Sequence, residues 1–328
     1  LLAGVSAKLR CGDHCTISLA TDGMLTRYGL DDPHGELGGA KHATTKGHRL
    51  AQRVGLSWQP VSWSILNLGV GQTVQGVRLD QRSATGLRAR RWRTRPELSA
   101  LFTPLPQLRF SLIGALECHN TEAHRDTTSS TTEPPSYCEA LQPTGRLGLR
   151  WQFLPDASVF ANAGRYARPP SLGELYGLSA VAQGNDELEA EQGLTAEVGV
   201  DASHRWSWGG GFAQLLGFLR QADELIAYRR SSIGAIKPYN VGQARVVGAE
   251  AALGADLWRT LSARVSATWL DPRDRSEGRN TSNDLLPFRS ALTIAPSLSL
   301  RSPRWKTLSL DKAQLTARYR YRSSRFAD

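Results

Sequence analysis

Apolar residues recur along this chain at every second position rather than at helical spacing. From Arg146 to Phe153, the side chains of Leu147, Leu149, Trp151 and Phe153 share one face, and Arg146, Arg150 and Gln152 share the other. Leu194, Ala196, Val198 and Val200 oppose Thr195, Glu197 and Asp201 in the same way. Leu261, Ala263, Val265, Ala267 and Trp269 oppose Ser262, Arg264, Ser266 and Thr268, and Leu315, Ala317, Tyr319 and Tyr321 oppose Thr316, Arg318, Arg320 and Arg322. Each run predicts a strand of about ten residues, against the ~5–6 usual in globular sheets. About fourteen such strands are expected, with boundaries good to ~2–4 residues.

The connections alternate in length. Those around Gln59–Val61, Thr103–Pro106, Pro155–Asp156, His204–Arg205 and Asp256–Thr260 are short. Those at Gly29–Gly47, Cys118–Thr144, Pro169–Gln192, Arg229–Ala244 and Asp271–Pro287 are long, and Leu79–Gly86 is intermediate. Short turns at one end and long loops at the other define an up-and-down antiparallel meander. Strands of ~9–11 residues with one apolar and one polar face are long enough to cross a bilayer as a barrel, with short turns periplasmic and long loops external. The fold class is therefore all-β, a transmembrane antiparallel up-and-down β-barrel, occupying residues 1–328 as one domain. A water-soluble sandwich or barrel would turn the apolar face inward and would not place arginines so densely on the other.

Tryptophan supports the same reading. Of the nine tryptophans, Trp58, Trp63, Trp151, Trp206, Trp208, Trp258 and Trp305 lie within about four residues of a predicted short turn. Indole, with an apolar body and a polar N–H, settles at a membrane–water boundary, whereas a role as core filler gives no reason for clustering at one end of the strands. No run of ~18 apolar residues marks a membrane helix. The formal charge of +10 reflects 40 Lys and Arg against 30 Asp and Glu, spread along the chain rather than gathered in one block. Arginines that line polar strand faces account for it without nucleic acid, and a basic lumen attracts anionic solutes. The outer-membrane lipid and lipopolysaccharide are the partners expected of the outer arginines. The chain opens on "LLAGVSAKLR" with neither an initiator Met nor a signal peptide, so an internal start or a mature product is expected.

"ARPPSLGELYG" (Ala167–Gly177), "GNDELEAEQGLTAEVGVD" (Gly184–Asp201), "ADELIAY" (Ala222–Tyr228), "YNVGQARVVGAEAAL" (Tyr239–Leu253) and "LLPFRSAL" (Leu285–Leu292) follow one another in register. Together they resemble the second half of the barrel of TonB-dependent outer-membrane receptors, the cobalamin and ferric-siderophore class. The resemblance covers roughly Gly145–Ser290. It implies a bacterial outer-membrane location and a larger, 22-stranded barrel with an N-terminal plug. It also implies the TonB energy-transducing complex as a partner, and energised uptake of a siderophore-bound iron or cobalamin-like ligand. This chain shows no plug segment and fewer strands, so a barrel incomplete at both ends is expected. A passive porin-like channel and a truncated receptor without function are the alternatives.

Candidate chemistry is sparse. No Ser-His-Asp arrangement, phosphate loop or dinucleotide fingerprint appears, and neither an enzyme activity nor a cofactor is expected. Glu174 has no partner carboxylate or histidine at meaningful spacing, so it is expected to belong to a structured loop. The prolines Pro169 and Pro170 end the preceding strand because proline cannot donate to a ladder. Arg168, Tyr176, Asn185, Tyr239, Asn240 and Arg245 stand at the predicted outer rim and are candidate substrate contacts. Cys118 and Cys138 fall in one predicted outer loop as a candidate disulfide. Cys11 and Cys15 in "CGDHC" are a local disulfide or free thiols rather than metal ligands, since four ligands on one tight turn cannot easily surround a tetrahedral ion. His34, His42, His119 and His124 also fall in predicted outer loops, where polar composition explains them as well as capture of haem or metal does.

Overall fold

The computed structural model describes residues 1–31, 42–81, 84–125, 142–177, 182–230, 235–258, 260–277, 284–286, 289–302 and 313–324. These form a single antiparallel sheet in which sequence order is spatial order. Its strands are β1 (Leu2–Arg10), β2 (Cys15–Asp31), β3 (His42–Val61), β4 (Ser64–Gln81), β5 (Ala84–Leu105), β6 (Leu108–Arg125), β7 (Gln142–Leu154) and β8 (Ala157–Arg168). After a short helix α1 (Leu172–Tyr176) come β9 (Glu191–Trp206), β10 (Gly209–Arg230), β11 (Ile236–Leu257), β12 (Leu261–Asp274), β13 (Leu292–Arg301), β14 (Gln314–Arg318) and β15 (Tyr321–Arg322). The two-residue β15 extends β14's side of β13 rather than adding a new position in the sheet. Among the described residues β1 pairs only with β2 and β14 only with β13, so the sheet is not closed.

The alternation read from the sequence sets the two faces. Leu147, Leu149, Trp151 and Phe153 of β7 are all exposed on the outer face. On the inner face Arg146 pairs with Glu197, and Arg150 donates to Asp201 at 2.6 Å. Asn162 and Ser158 of β8 donate to the same two carboxylates at 2.8 and 3.0 Å. An apolar face turned outward is unfavourable in water and favourable in hydrocarbon, while the opposite face satisfies its charges across neighbouring strands.

The tight turns lie at one end of the sheet, at Ser62–Trp63, Pro106–Gln107, Pro155–Asp156 and Ser207–Trp208. The turn between β1 and β2, at the same end, is closed by a Cys11–Cys15 disulfide. Trp58, Trp63, Trp151, Trp206, Trp208 and Trp258 are exposed at this end, and Trp305 lies outside the described residues. Trp206 stacks on Trp208 with ring centroids 5.4 Å apart, and Trp208 on Trp258 at 6.0 Å. This is an aromatic girdle at the periplasmic boundary.

The strands run further than their hydrophobic pattern predicts. β5, β10 and β11 have 22 residues each, or ~70 Å at ~3.3 Å per residue, whereas ~9–11 residues cross the bilayer. Above the membrane both faces meet water or packed loops, so the apolar alternation fades while the backbone ladder continues. The expected long loop over Arg229–Ala244 is accordingly a hairpin whose connection is only residues 231–235. His42 opens β3, and Cys118, His119 and His124 stand on β6 rather than in a loop. His34 and Cys138 lie outside the described residues, among which no cysteine is free.

Candidate functional site

The described residues of the segment between β8 and β9, 169–177 and 182–190, fold back onto the sheet. It starts where Pro169 and Pro170 stop the ladder, at the end of β8 opposite the tight turns. Ser171 then caps α1: its hydroxyl accepts from the Glu174 amide at 3.2 Å, and Glu174 returns its carboxylate to the Ser171 amide at 2.7 Å. Ser171 three residues before Glu174 is a capping box, a signal present in the sequence.

Glu174 also accepts from Arg168 Nη1 at 3.0 and 3.2 Å and from the Tyr228 hydroxyl at 2.9 Å. Burial pushes this carboxyl upward. The Ser171 amide, Tyr228 hydroxyl and Arg168 guanidinium outweigh that and hold it below the usual glutamate range. Glu191, at the first position of β9, is 1% exposed and binds the same arginine. It accepts from the Tyr166 hydroxyl at 2.9 Å and pairs with Arg220, whose guanidinium lies 4.6 Å over the Tyr166 ring. Arg289, from the "LLPFRSAL" stretch, lies within electrostatic reach of Arg220, Glu191 and Tyr166. Arg168 thus bridges the carboxylates of Glu174 and Glu191, and Arg220 and Arg289 flank Glu191.

The segment reaches across the inner face to strands far from β8 in the sheet. Arg91 of β5 donates from Nη1 to the Pro170 carbonyl at 2.5 Å and from Nε to Thr121 of β6 at 2.8 Å. Leu172 packs against Val77 of β4 and Ala89 of β5, and Leu175 packs against Leu188 and Ile226. The second half of the segment is pinned to β11. The Asn185 amide donates to the Glu174 carbonyl at 2.8 Å, and its side chain to the Pro238 carbonyl at 3.2 Å. Asn240 donates to the carbonyls of Glu224 and Glu189 at 2.8 and 3.2 Å and accepts from the Glu189 amide at 2.9 Å.

Arg168, Tyr176, Asn185 and Asn240 therefore come together around this inward-folded segment. Tyr239 and Arg245 hold odd positions of β11, and alternation puts them on the opposite face from Asn240. Arg229 lies over the Tyr239 ring at 5.6 Å. Tyr166, Glu191, Arg220, Tyr228, Arg289 and Arg91 complete the cluster, and their sequence context gives no sign that they meet, since the sheet register brings them together. Among the described residues no group of three His, Cys, Asp or Glu side chains is arranged to hold a metal ion.

Residues 76–328 match the family model described as "TonB dependent receptor-like, beta-barrel". The chain belongs to this family, whose barrels lie in the bacterial outer membrane. The fold is similar to that of the copper transporter OprC, at 15% identity with a TM-score of 0.75 over 97% of this chain and 51% of that one. It is also similar to the FrpB iron transporter of Neisseria meningitidis, at 14% identity and TM-score 0.68 over 97% and 51%. The alcaligin outer membrane receptor FauA of Bordetella pertussis aligns at 11% identity and TM-score 0.59, over 98% and 60%. The chain spans about half the length of the first two.

Proposed function

We propose that this chain is barrel wall of an outer-membrane receptor for energised uptake of an anionic metal chelate, an iron–siderophore complex before a cobalamin-like solute. The observation that carries this reading is the set of guanidinium groups of Arg168 in β8, Arg220 in β10 and Arg289, which stand beside the segment between β8 and β9 on the inner face. Arg168 and Arg220 keep 41% and 39% of their side chains exposed, so an anion arriving through the lumen can reach them. Charge of one sign inside a low-dielectric wall concentrates the opposite ion. Copper and iron are the cargoes named for two of the structurally similar proteins, and TonB is the partner the family name carries. Arg168, Tyr176, Asn185 and Asn240 would act on the solute through the position of this segment, and Tyr239 and Arg245 from the other face of the rim.

The test is uptake of radiolabelled ferric chelates and of cyanocobalamin by cells carrying the full-length gene, with and without a protonophore. Protonophore-sensitive uptake of an anionic ferric chelate is expected, with a several-fold higher KM in Arg220→Gln. Uptake indifferent to the protonophore, or ohmic conductance of the purified protein in planar bilayers, would establish the passive channel instead.

A further inference from the structure

The stretch "RARRWRTR" (Arg88–Arg95) puts Arg91, Arg93 and Arg95 on one face of β5. Arg91 holds the inward-folded segment at Pro170, so that face is the inner one. Strand register sets Arg95 and Arg53 of β3 on either side of Gly71 in β4, and Arg91 and Arg49 on either side of Gln75. The two members of each pair are two strand spacings apart, ~10 Å. β4 itself carries no charge on this face, where Gly69, Gly71, Thr73 and Gln75 follow one another. A Cβ on Gly71 would have only two backbone oxygens within reach, each 3.9 Å away, so the floor between the arginines is open.

Arg49, Arg53, Arg93, Arg95, Asp22 and Glu97 line one cavity of about 160 Å³ over this floor. Arg93 pairs with Glu117 and Arg95 with Glu97, both at 3.3 Å. Among the described residues Arg49 and Arg53 meet no carboxylate, and Asp22 meets no cation. Among the same residues Arg95 Nε is buried without a hydrogen-bond partner. Unlike charges that share a small cavity without pairing, beside an unsatisfied buried donor, mark a space for a third body.

Size and charge select the occupant. Sites for drug-sized ligands run to ~300–1,000 Å³, so this cavity suits a small ion and not a metal chelate. Four guanidinium groups against three carboxylates, Glu117 included, favour an anion. Guanidinium groups suit an oxyanion because they donate two parallel hydrogen bonds. Asp22 narrows the class further. An ionised carboxylate only accepts, so it repels a bare oxyanion and bonds to one that carries a proton. At neutral pH phosphate keeps an O–H and sulfate does not. We infer that this cavity binds inorganic phosphate, its oxygens held by Arg49, Arg53 and Arg95 and its O–H donated to Asp22. Arg53 lies five residues from Trp58 of the periplasmic girdle, ~16 Å of strand, which places the site within the membrane span of the lumen wall. The site goes beyond the uptake reading and does not rest on it, so either can fail without the other.

The test uses the full-length protein purified in mild detergent at neutral pH and titrated with inorganic phosphate and with sulfate by isothermal calorimetry. Saturable phosphate binding is expected, about tenfold or more tighter than sulfate. Arg53→Gln should weaken phosphate about tenfold or more, through loss of its charge-assisted hydrogen bonds. Asp22→Asn should bring sulfate to within about twofold of phosphate, because the amide can donate to a bare oxygen. The heat-modified gel shift checks that each variant is folded. The comparison of phosphate with sulfate on the unaltered protein stands even if neither variant folds. No saturable phosphate binding at millimolar concentration, or equal affinity for sulfate, would overturn the site. So would a folded Arg53→Gln that binds phosphate like the unaltered protein, or a folded Asp22→Asn that still prefers phosphate as strongly.

Discussion

Glu174 accepts four hydrogen bonds, one from the Ser171 amide, two from Arg168 and one from the Tyr228 hydroxyl. The sequence leads one to expect a structured-loop role for it in "SLGELYG", and these donors spend its lone pairs on holding the segment in place. Because its folded value lies below that of an unfolded glutamate, its contribution is present above the usual value of ~4.3 and lost as pH falls through the lower folded one. Hydrogen exchange of residues 171–177, corrected for intrinsic rates, should thus lose protection below about pH 4. Glu174→Gln should be weakly protected already at neutral pH, with little further loss on acidification. Unchanged protection across that range would show that the carboxylate does not hold the segment.

At the scale of the element, the same segment depends on a close backbone approach. A Cβ on Gly184 would sit 2.4 Å from the Gly177 amide nitrogen and 2.5 Å from the Leu175 carbonyl oxygen. Both are backbone atoms of the turn that ends α1, where Gly177 holds a φ of 80°. Gly184→Ala is expected to cost ~1–3 kcal/mol of docking, as overpacking does, and to speed exchange of the segment about tenfold or more. The barrel's heat-modified gel shift should not move, since no ladder pairing is touched. The strands themselves were legible where one face meets lipid, as in β7 and β12. They were not legible above the membrane, as in the upper halves of β10 and β11, because backbone pairing there no longer demands an apolar side. The capping box was legible in principle, since Ser171 and Glu174 have the required spacing. The meeting of Arg91 with Pro170, 79 residues apart, was not.

For the whole molecule, the governing fact is that among the described residues β1 and β14 each pair on one side alone. Each unsatisfied backbone group in hydrocarbon costs several kcal/mol, so both edges need neighbouring strands within the membrane. Closure of this sheet on itself is testable with Ser6→Cys/Thr316→Cys under mild oxidation. No intramolecular disulfide is expected in the full-length protein, because a wider barrel separates the two strands. A faster-migrating, reducible species would instead show that β1 and β14 meet as the seam of a smaller barrel.

The sequence by itself determined the membrane β-barrel class, the alternation of short and long connections and the apolar face of strands such as β7, β9 and β12. Those features follow from local rules: alternation, turn length and the interfacial preference of tryptophan act within a few residues. The tertiary structure alone decided which charges meet. Arg168, Arg220 and Arg289 gather around Glu174 and Glu191, and Arg53 faces Arg95 across Gly71, only once strand register is fixed. Register depends on pairing between segments distant in the chain, and no short window of sequence contains it.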